Sequence, residues 1–258
     1  MLPNFLHIGV AKGASTWLWT VYQEHPDICV PTKEVVNYSG RRTKPDNVNF
    51  FVADFHLGLE WYEKTYFSEW AGEKAVGEFS NSYMVDELAL QRIAESLPDV
   101  KLTMTVRNPI DVALLQYSQQ KKGGRWAPGR NPFEEVLDIH SWQKFRMWIA
   151  TQYYHLHLTR VLRYVPRDRV LVLVYDDLEK DPRGFLNQAF SFLGVETDVD
   201  LPSMGKVIGF PRPEEPDTAE DDLKKGISPD LRERLRQIFA DQTAKLAEFL
   251  GRDLSHWR

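Results

Sequence analysis

The sequence has little cysteine and no excess of positive charge. Cys29 is the only cysteine in 258 residues, so an intrachain disulfide is excluded and a reducing, cytoplasmic setting is expected. The formal net charge is −5 and no lysine- or arginine-rich tract occurs, which argues against a nucleic-acid partner or an anionic membrane. No stretch approaches about 18 apolar residues, and no signal-peptide pattern precedes Phe5, so we expect a soluble chain.

The sequence also lacks the lysine position that defines the P-loop of nucleoside triphosphatases. That loop reads G-x-x-x-x-G-K-[ST], and no GKS or GKT occurs in the chain. Residues 5–19, FLHIGVAKGASTWLW, nevertheless join an apolar run to a turn of glycine and small hydroxyl residues, after which helical spacing begins. Backbone amides of such a turn and the following helix dipole attract phosphate. An ordinary turn with a helix cap has the same composition and is the alternative.

Alternating apolar strands and amphipathic helices predict the fold class. Strand signals occur at 5–10, 74–79, 101–106 and 170–174, and helical periodicity separates them at 17–25, 86–96, 110–122 and 142–164. This order predicts an α/β fold with a mainly parallel sheet that is flanked by helices on both faces. The continuously apolar run VLVLV is expected to be a central strand.

The later helices have recognisable ends. Asp176 or Asp177 is expected to cap a helix that stops at Gly194. Ser228 and Pro229 are expected to open a last helix that runs to Leu250. We find no repeat and no linker, and therefore predict one domain over residues 1–258.

An arginine follows the third predicted strand. In TMTVRNPIDVALLQYSQQ, residues 103–120, the strand leads through Arg107 and Asn108 into a helix opened by proline. An arginine at the carboxyl end of a parallel strand lies where ligands dock in open α/β sheets, and its planar guanidinium suits a phosphate. A salt bridge to a nearby carboxylate such as Asp111 is the alternative.

These segments together resemble the sulfotransferases that use 3′-phosphoadenosine 5′-phosphosulfate (PAPS). G-x-x-K-G-x-S-T at 9–16 resembles their 5′-phosphosulfate loop, the R-[ND]-P turn resembles their 3′-phosphate segment, and LVYDDLEKDP at 173–182 resembles a third motif. The heparan-sulfate branch is the most similar, through KEVVNYSG, GLEWYEKTYF, KKGISPDL and GRDLSHW, at 33–40, 58–67, 224–231 and 251–257. The resemblance implies a P-loop-containing sulfotransferase fold.

The resemblance also implies a site. Lys12 would neutralise charge on the bridging oxygen and the 5′-phosphate, and Glu34 would be the general base that takes the proton of the acceptor. A surface ion pair between Lys33 and Glu34 is the alternative for that carboxylate. The residues expected to hold the donor are, in chain order, Lys12, Gly13, Ala14, Ser15, Thr16, Trp17, Arg107, Ser118, Lys225 and Gly226.

Two positions depart from the pattern of the family. Leu115 stands where the 3′-phosphate helix usually has a serine, and we expect Ser118, one turn later on the same face, to replace it. Phe79 stands where the heparan-sulfate branch has a catalytic-site lysine, which argues against a polysaccharide acceptor. The loop KKGGRWAPGR, residues 121–130, has the composition of a substrate lid and equally that of a solvated loop.

The resemblance therefore predicts an enzyme that moves a sulfuryl group from PAPS to a hydroxyl of a small-molecule or carbohydrate acceptor. The nucleotide product is 3′-phosphoadenosine 5′-phosphate (PAP), and no metal is expected. A P-loop kinase is one alternative, because VLVLV followed by Tyr175 and Asp176 imitates a magnesium-binding strand, although the missing GK[ST] counts against it. A non-catalytic relative that binds PAP or a glycan is the other. The sequence leaves the oligomeric state open.

Overall fold

The computed structural model describes residues 1–36, 40–122, 145–146, 148–205 and 229–257. The chain divides into two compact units. The first contains Met1–Val106 and Arg160–Ile208, and the second contains Arg107–Thr159 and Gly209–Arg258. The single domain over 1–258 stays a prediction.

The first unit contains a five-stranded parallel sheet. The strands in the described residues are β1 (Phe5–His7), β2 (Ile28–Cys29), β3 (Val35–Val36), β4 (Arg42–Thr43), β5 (Ala75–Phe79), β6 (Lys101–Val106) and β7 (Val170–Val174). The order in the sheet is β2-β5-β1-β6-β7, with every neighbouring pair parallel, while β3 and β4 form a separate antiparallel hairpin. The predicted α/β fold with a mainly parallel sheet is confirmed.

The helices account for most of the remaining described residues. They are α1 (Ser15–Gln23), α2 (Leu59–Tyr66), α3 (Glu87–Ser96), α4 (Pro109–Lys122), α5 (Tyr154–Tyr164), α6 (Tyr175–Lys180), α7 (Pro182–Leu193) and α8 (Pro229–Leu250). Gly194 and Gly251 follow α7 and α8 with φ values of 81° and 61°, which is the left-handed conformation that glycine adopts at little cost. Within the described ranges, no helix is both long and apolar enough to cross a membrane.

One core packs α1 and α7 against the sheet. Leu18, Val21 and Tyr22 of α1 are fully buried with Phe5 of β1 and Phe190 of α7. The Tyr22 ring lies 5.9 Å from the Phe5 ring and 5.8 Å from the Phe190 ring, measured between centroids. Burial of each such side chain contributes about 1.5 to 3 kcal/mol. This packing fixes the direction in which α1 leaves β1.

The second unit has its own core between α4 and α8. Ile110 and Leu114 of α4 are buried together with Leu231, Leu235 and Phe239 of α8. The helix start of α4 is fixed by Asn108, whose side-chain oxygen accepts a hydrogen bond from the Ile110 amide at 3.0 Å. Pro109 at the first helical position needs no such partner.

Three expectations about the elements are wrong. The apolar strand β7 is an edge strand among the described strands, because an apolar run reports burial of its side chains and not the number of its neighbours. The cap of α7 is Asp181, which accepts from the Gly184 amide at 2.9 Å, while Asp176 and Asp177 lie in the separate helix α6. The predicted helix 142–164 is interrupted by a 3-10 turn at Ala150–Gln152, so that α5 begins only at Tyr154.

Candidate active site

The predicted phosphate loop leaves the middle of the sheet. β1 lies between β5 and β6, and the chain beyond it stays bonded to β6. The Val10 amide donates to the Thr105 carbonyl oxygen at 3.2 Å, and the Thr105 amide donates to the Gly9 carbonyl oxygen at 2.8 Å. The loop therefore starts from a fixed backbone at the carboxyl end of a central strand, where ligands bind in open α/β sheets.

The backbone of this loop requires glycine at one position. A β-carbon on Gly13 would lie 2.5 Å from the Thr105 carbonyl oxygen, so no larger residue fits. Lys12 and Ala14 on either side both have a φ of 67°, which costs a non-glycine residue roughly 1 kcal/mol or more. The Gly13 amide donates to the Val10 carbonyl oxygen at 3.1 Å, which closes the turn.

The first turn of α1 presents amides that have no acceptor within the helix. Ala14 is the N-cap, and no side chain caps the helix there. The first bond inside the helix runs from the Leu18 amide to the Ala14 carbonyl oxygen at 3.0 Å, so the amides of Ser15, Thr16 and Trp17 precede it. No acidic residue lies in this turn, and the positive end of the helix dipole adds to the attraction for an anion.

The side chains of this turn have different surroundings. The Ser15 hydroxyl oxygen accepts a hydrogen bond from the Asn81 side-chain amide at 3.3 Å. The Thr16 hydroxyl donates to the Asp46 carboxylate at 2.9 Å. The Trp17 indole is buried in the core and donates to the Ser203 carbonyl oxygen at 3.2 Å, so at this position only the backbone amide suits a ligand.

The proposed base, Glu34, lies directly before the β3–β4 hairpin. Its carboxylate is 45% exposed and pairs with the Arg42 guanidinium at 3.1 Å across that hairpin. Lys33 forms its ion pair with Glu69 instead. The structure therefore places Glu34 in a surface ion pair, as the alternative expected, but the partner is Arg42 and not Lys33.

A buried carboxyl group lies at the end of β5, the strand next to β1. Glu78 is fully buried and accepts hydrogen bonds from the hydroxyls of Tyr83 at 2.7 Å, Ser80 at 2.7 Å and Tyr62 at 3.1 Å. Burial raises the pKa of Glu78 to about 7, and the three hydroxyls oppose that rise because they stabilise the carboxylate. The neighbouring Phe79, at the lysine position of the branch, is buried against the His7 and Tyr22 rings.

Glu78 is expected to make stability depend on pH. Its pKa is about 4.5 in the unfolded chain and about 7 in the fold, so the folded state binds more protons between these values. The unfolding free energy of the parent minus that of Glu78→Gln should therefore fall by about 3 kcal/mol as the pH rises from 4.5 to 7. Denaturant titrations of both proteins across this range measure that difference.

The buried His7 acts in the opposite direction, and its effect must be removed by comparing the two proteins. Burial lowers its pKa to about 3, so its contribution to stability is lost as the pH falls from 6.5 towards 3. Because His7 is present in both proteins, its effect cancels in the difference. A difference that does not change with pH would show that the folded state does not raise the pKa of Glu78.

The second unit carries Arg107, the residue that follows β6 in the chain. Arg107 is partly buried, and its charge acts on the buried phenol of Tyr154, together with that of Asp111. Leu115 is half-buried in α4. Ser118 belongs to the same helix, but its side chain lies outside the described part of the structure, as do Lys225, Gly226 and residues 123–130 of the proposed lid.

Sequence reasoning missed the partners of the loop and the buried carboxyl group. Tyr62 lies in the segment 58–67 that resembles the family, and Glu78 precedes Phe79, but nothing at either position indicated that the two side chains share a buried hydrogen bond. Nothing indicated that Asn81 would donate to Ser15 either. Asp46 carried no signal, because it is 30 residues away from Thr16 in the chain. No group of three or more histidine, cysteine, aspartate or glutamate residues that could hold a metal ion occurs in the described ranges.

Comparison with protein families and curated proteins identifies relatives over most of the chain. The family model described as the sulfotransferase domain matches residues 2–208. Human heparan sulfate glucosamine 3-O-sulfotransferase 6 is 28% identical over 201 residues, which are 75% of this chain and 53% of the relative. Mouse heparan sulfate glucosamine 3-O-sulfotransferase 3B1 is 25% identical over 98% of this chain and 64% of its own length. The chain thus spans about half to two thirds of these relatives.

Two solved sulfotransferase structures have a similar fold. A sulfotransferase from Alicyclobacillus acidocaldarius superposes with a TM-score of 0.74 and 27% identity, covering 100% of this chain and 99% of the other. Mouse sulfotransferase SULT7A1 complexed with PAP superposes with a TM-score of 0.54 and 14% identity, covering 93% of this chain and 84% of the other, a likeness of fold alone.

Proposed function

Because this chain belongs to the sulfotransferase domain family, we propose that it transfers a sulfuryl group from PAPS to a hydroxyl of a small-molecule or carbohydrate acceptor. The observation that carries the proposal is the loop between β1 and α1. It combines a glycine that no other residue can replace, a helix start without a side-chain cap, and Lys12. These features fit the 5′-phosphosulfate end of PAPS, because each supplies positive potential or room for a phosphate.

The chemistry assigned to the loop is charge stabilisation. In the transfer, the acceptor oxygen forms a bond to sulfur while the bond from sulfur to the 5′-phosphate oxygen breaks, and that oxygen leaves on PAP with the bonding electron pair. Lys12 and the amides of Ser15 and Thr16 would stabilise the charge that develops there, as fixed donors do in phosphoryl transfer. The Ala14 side chain has no polar group and the Trp17 indole N–H is already bonded to the Ser203 carbonyl oxygen, so these two side chains shape the loop and only the backbone amides are left for the ligand.

Glu34 is proposed to take the proton of the acceptor hydroxyl as the new bond forms. Two features support this role: its carboxylate is almost half exposed, and the ion pair with Arg42 beside it orients the carboxylate. Transfer then releases one proton for each PAP formed. Since Glu34 would face the acceptor, it should contribute little to nucleotide affinity.

The 3′-phosphate of the donor is proposed to bind Arg107, Ser118, Lys225 and Gly226. The support for Arg107 is its place after β6 and its partly buried charge, which suits a phosphate better than a fully solvated one does. The proposed roles of Ser118, Lys225 and Gly226 rest on the sequence resemblance.

The acceptor is proposed to be smaller than a sulfated polysaccharide. The relatives of this chain include enzymes named for heparan sulfate glucosamine, which makes a carbohydrate a reasonable class of acceptor. The net charge of −5 disfavours a long polyanion, and Phe79 supplies an uncharged, buried ring where the heparan-sulfate branch has a lysine. A reducing compartment is proposed from the single cysteine, which the structure describes as buried.

Nucleotide binding separates this function from a P-loop kinase. PAP should raise the melting temperature without added magnesium, because the loop offers anion contacts that need no metal. ATP should stabilise the protein less, since it lacks the 3′-phosphate assigned to Arg107. Thermal-shift titrations with PAP and ATP, each with magnesium and with EDTA, measure both effects, and an equal, magnesium-dependent effect of ATP would favour the kinase.

A further inference from the structure

The two hydroxyls at the start of α1 are bonded in opposite senses. Ser15 accepts a hydrogen bond from the Asn81 side chain at 3.3 Å, which leaves its own hydrogen available for a ligand. Thr16 donates its hydrogen to the Asp46 carboxylate at 2.9 Å, because an ionised carboxylate only accepts. The family resemblance implies that both residues hold the sulfuryl donor, PAPS. Their hydroxyls nevertheless have different hydrogen-bond partners here.

Asp46 is held in place by a backbone framework. The Asn47 amide donates to the Lys44 carbonyl oxygen at 3.1 Å, which closes the turn that carries Asp46. The Asn47 side-chain oxygen accepts from the Asn81 amide at 3.2 Å, and the Val48 amide donates to the Phe79 carbonyl oxygen at 2.9 Å. These hydrogen bonds attach the turn to the end of β5 and thereby keep the Asp46 carboxylate next to Thr16.

A carboxylate in this place works against an anion in the loop in two ways. The Thr16 hydroxyl can offer a phosphate only its lone pairs while its hydrogen is bonded to Asp46. In addition, two groups that contact the same hydroxyl oxygen lie about 4 to 5 Å apart, so a phosphate there would meet the negative charge of Asp46 directly. Like charges at such a distance repel even in a solvated site.

We propose that Asp46 is a positioning residue that holds the Thr16 hydroxyl away from the bound 5′-phosphate and thereby limits the affinity of the loop for the spent nucleotide. The inference rests on the proposed function, since PAP is the anion in question. The loop then binds phosphate through its backbone amides, Lys12 and Ser15. Weaker retention of PAP favours its release after each transfer.

Replacing Asp46 should tighten PAP binding. Asp46→Asn removes the charge and keeps an acceptor for Thr16, and should lower the dissociation constant at least about fourfold. Asp46→Ala also frees the Thr16 hydroxyl to donate to the phosphate, and should lower the dissociation constant about tenfold further. Calorimetric titration of PAP measures both variants, with the exposed Asp99→Asn as the control for net charge.

The Thr16→Val background tests whether Asp46 acts through the hydroxyl. There the Asn and Ala variants at position 46 should give equal gains, because no hydroxyl remains to be freed. PAP binding that is unchanged or weaker in both Asp46 variants would overturn the inference, as would an Asp46→Ala gain that is equal with and without the Thr16 hydroxyl. If Asp46→Ala does not fold, Asp46→Gly, which also removes the acceptor, takes its place in both comparisons. A parent that binds no PAP contradicts the proposed function, whereas a parent that binds PAP with variants that bind no tighter contradicts only the role of Asp46.

Discussion

Glu34→Gln is expected to lower the rate of sulfuryl transfer by about 10² to 10⁴ while leaving the affinity for PAP nearly unchanged. The substitution keeps the shape of the side chain and removes the proton acceptor. Because Glu34 is paired with Arg42 near the surface, the amide should fold without leaving a buried unpaired group. Single-turnover transfer rates and PAP dissociation constants of parent and variant measure the two effects separately.

The neighbouring Glu69 provides a matched control. It is 49% exposed and pairs with Lys33, much as Glu34 is 45% exposed and pairs with Arg42. Glu69→Gln should transfer at close to the parental rate. A variant at position 34 with a near-parental rate would remove Glu34 from the mechanism.

Arg107→Ala should weaken PAP binding by roughly 2 to 5 kcal/mol, the usual cost of removing one partner from a desolvated charge pair. The expected loss follows from the planar guanidinium, which can bind two oxygens of a 3′-phosphate at once. Titration of the variant with PAP and with AMP, which lacks the 3′-phosphate, measures the loss. It should be much smaller for AMP.

The exposed Arg234 in α8 provides the control for Arg107→Ala, because Arg234→Ala changes the net charge by the same amount. Arg234→Ala should bind PAP like the parent. An equal loss of PAP and AMP affinity in Arg107→Ala would indicate that Arg107 supports the fold, for example beside Tyr154, and does not touch the 3′-phosphate.

The sheet and its helices could be predicted from local patterns, with limits that particular residues explain. The apolar runs at β1, β5, β6 and β7 mark strands because burial of alternate or all side chains is a local property. The edge position of β7 is a property of the whole sheet, so the apolar run could not reveal it. Asp181 could have been found as the cap of α7, because Pro182 follows it at the first helical position.

The same limit applies to the candidate site, where local residues could be predicted and contacts made by the tertiary fold could not. The glycine, lysine and hydroxyl residues of the loop could be read from the sequence, because they are contiguous and each suits an anion chemically. The carboxylates around them could not. Asp46 reaches Thr16 and Glu78 reaches Tyr62 only through the tertiary fold, and the raised pKa of Glu78 follows from complete burial, which no local pattern specifies.

The most direct test of the central claim is the transfer of labelled sulfur from PAPS in a metal-free buffer. The acceptors are a panel of phenols, aliphatic alcohols and amino-sugar oligosaccharides, and labelled product and PAP are counted together. The account predicts that label appears on at least one hydroxyl acceptor with an equal amount of PAP, and that Glu34→Gln abolishes most of it. PAP binding with no labelled acceptor, or transfer that requires ATP and magnesium in place of PAPS, would contradict the account.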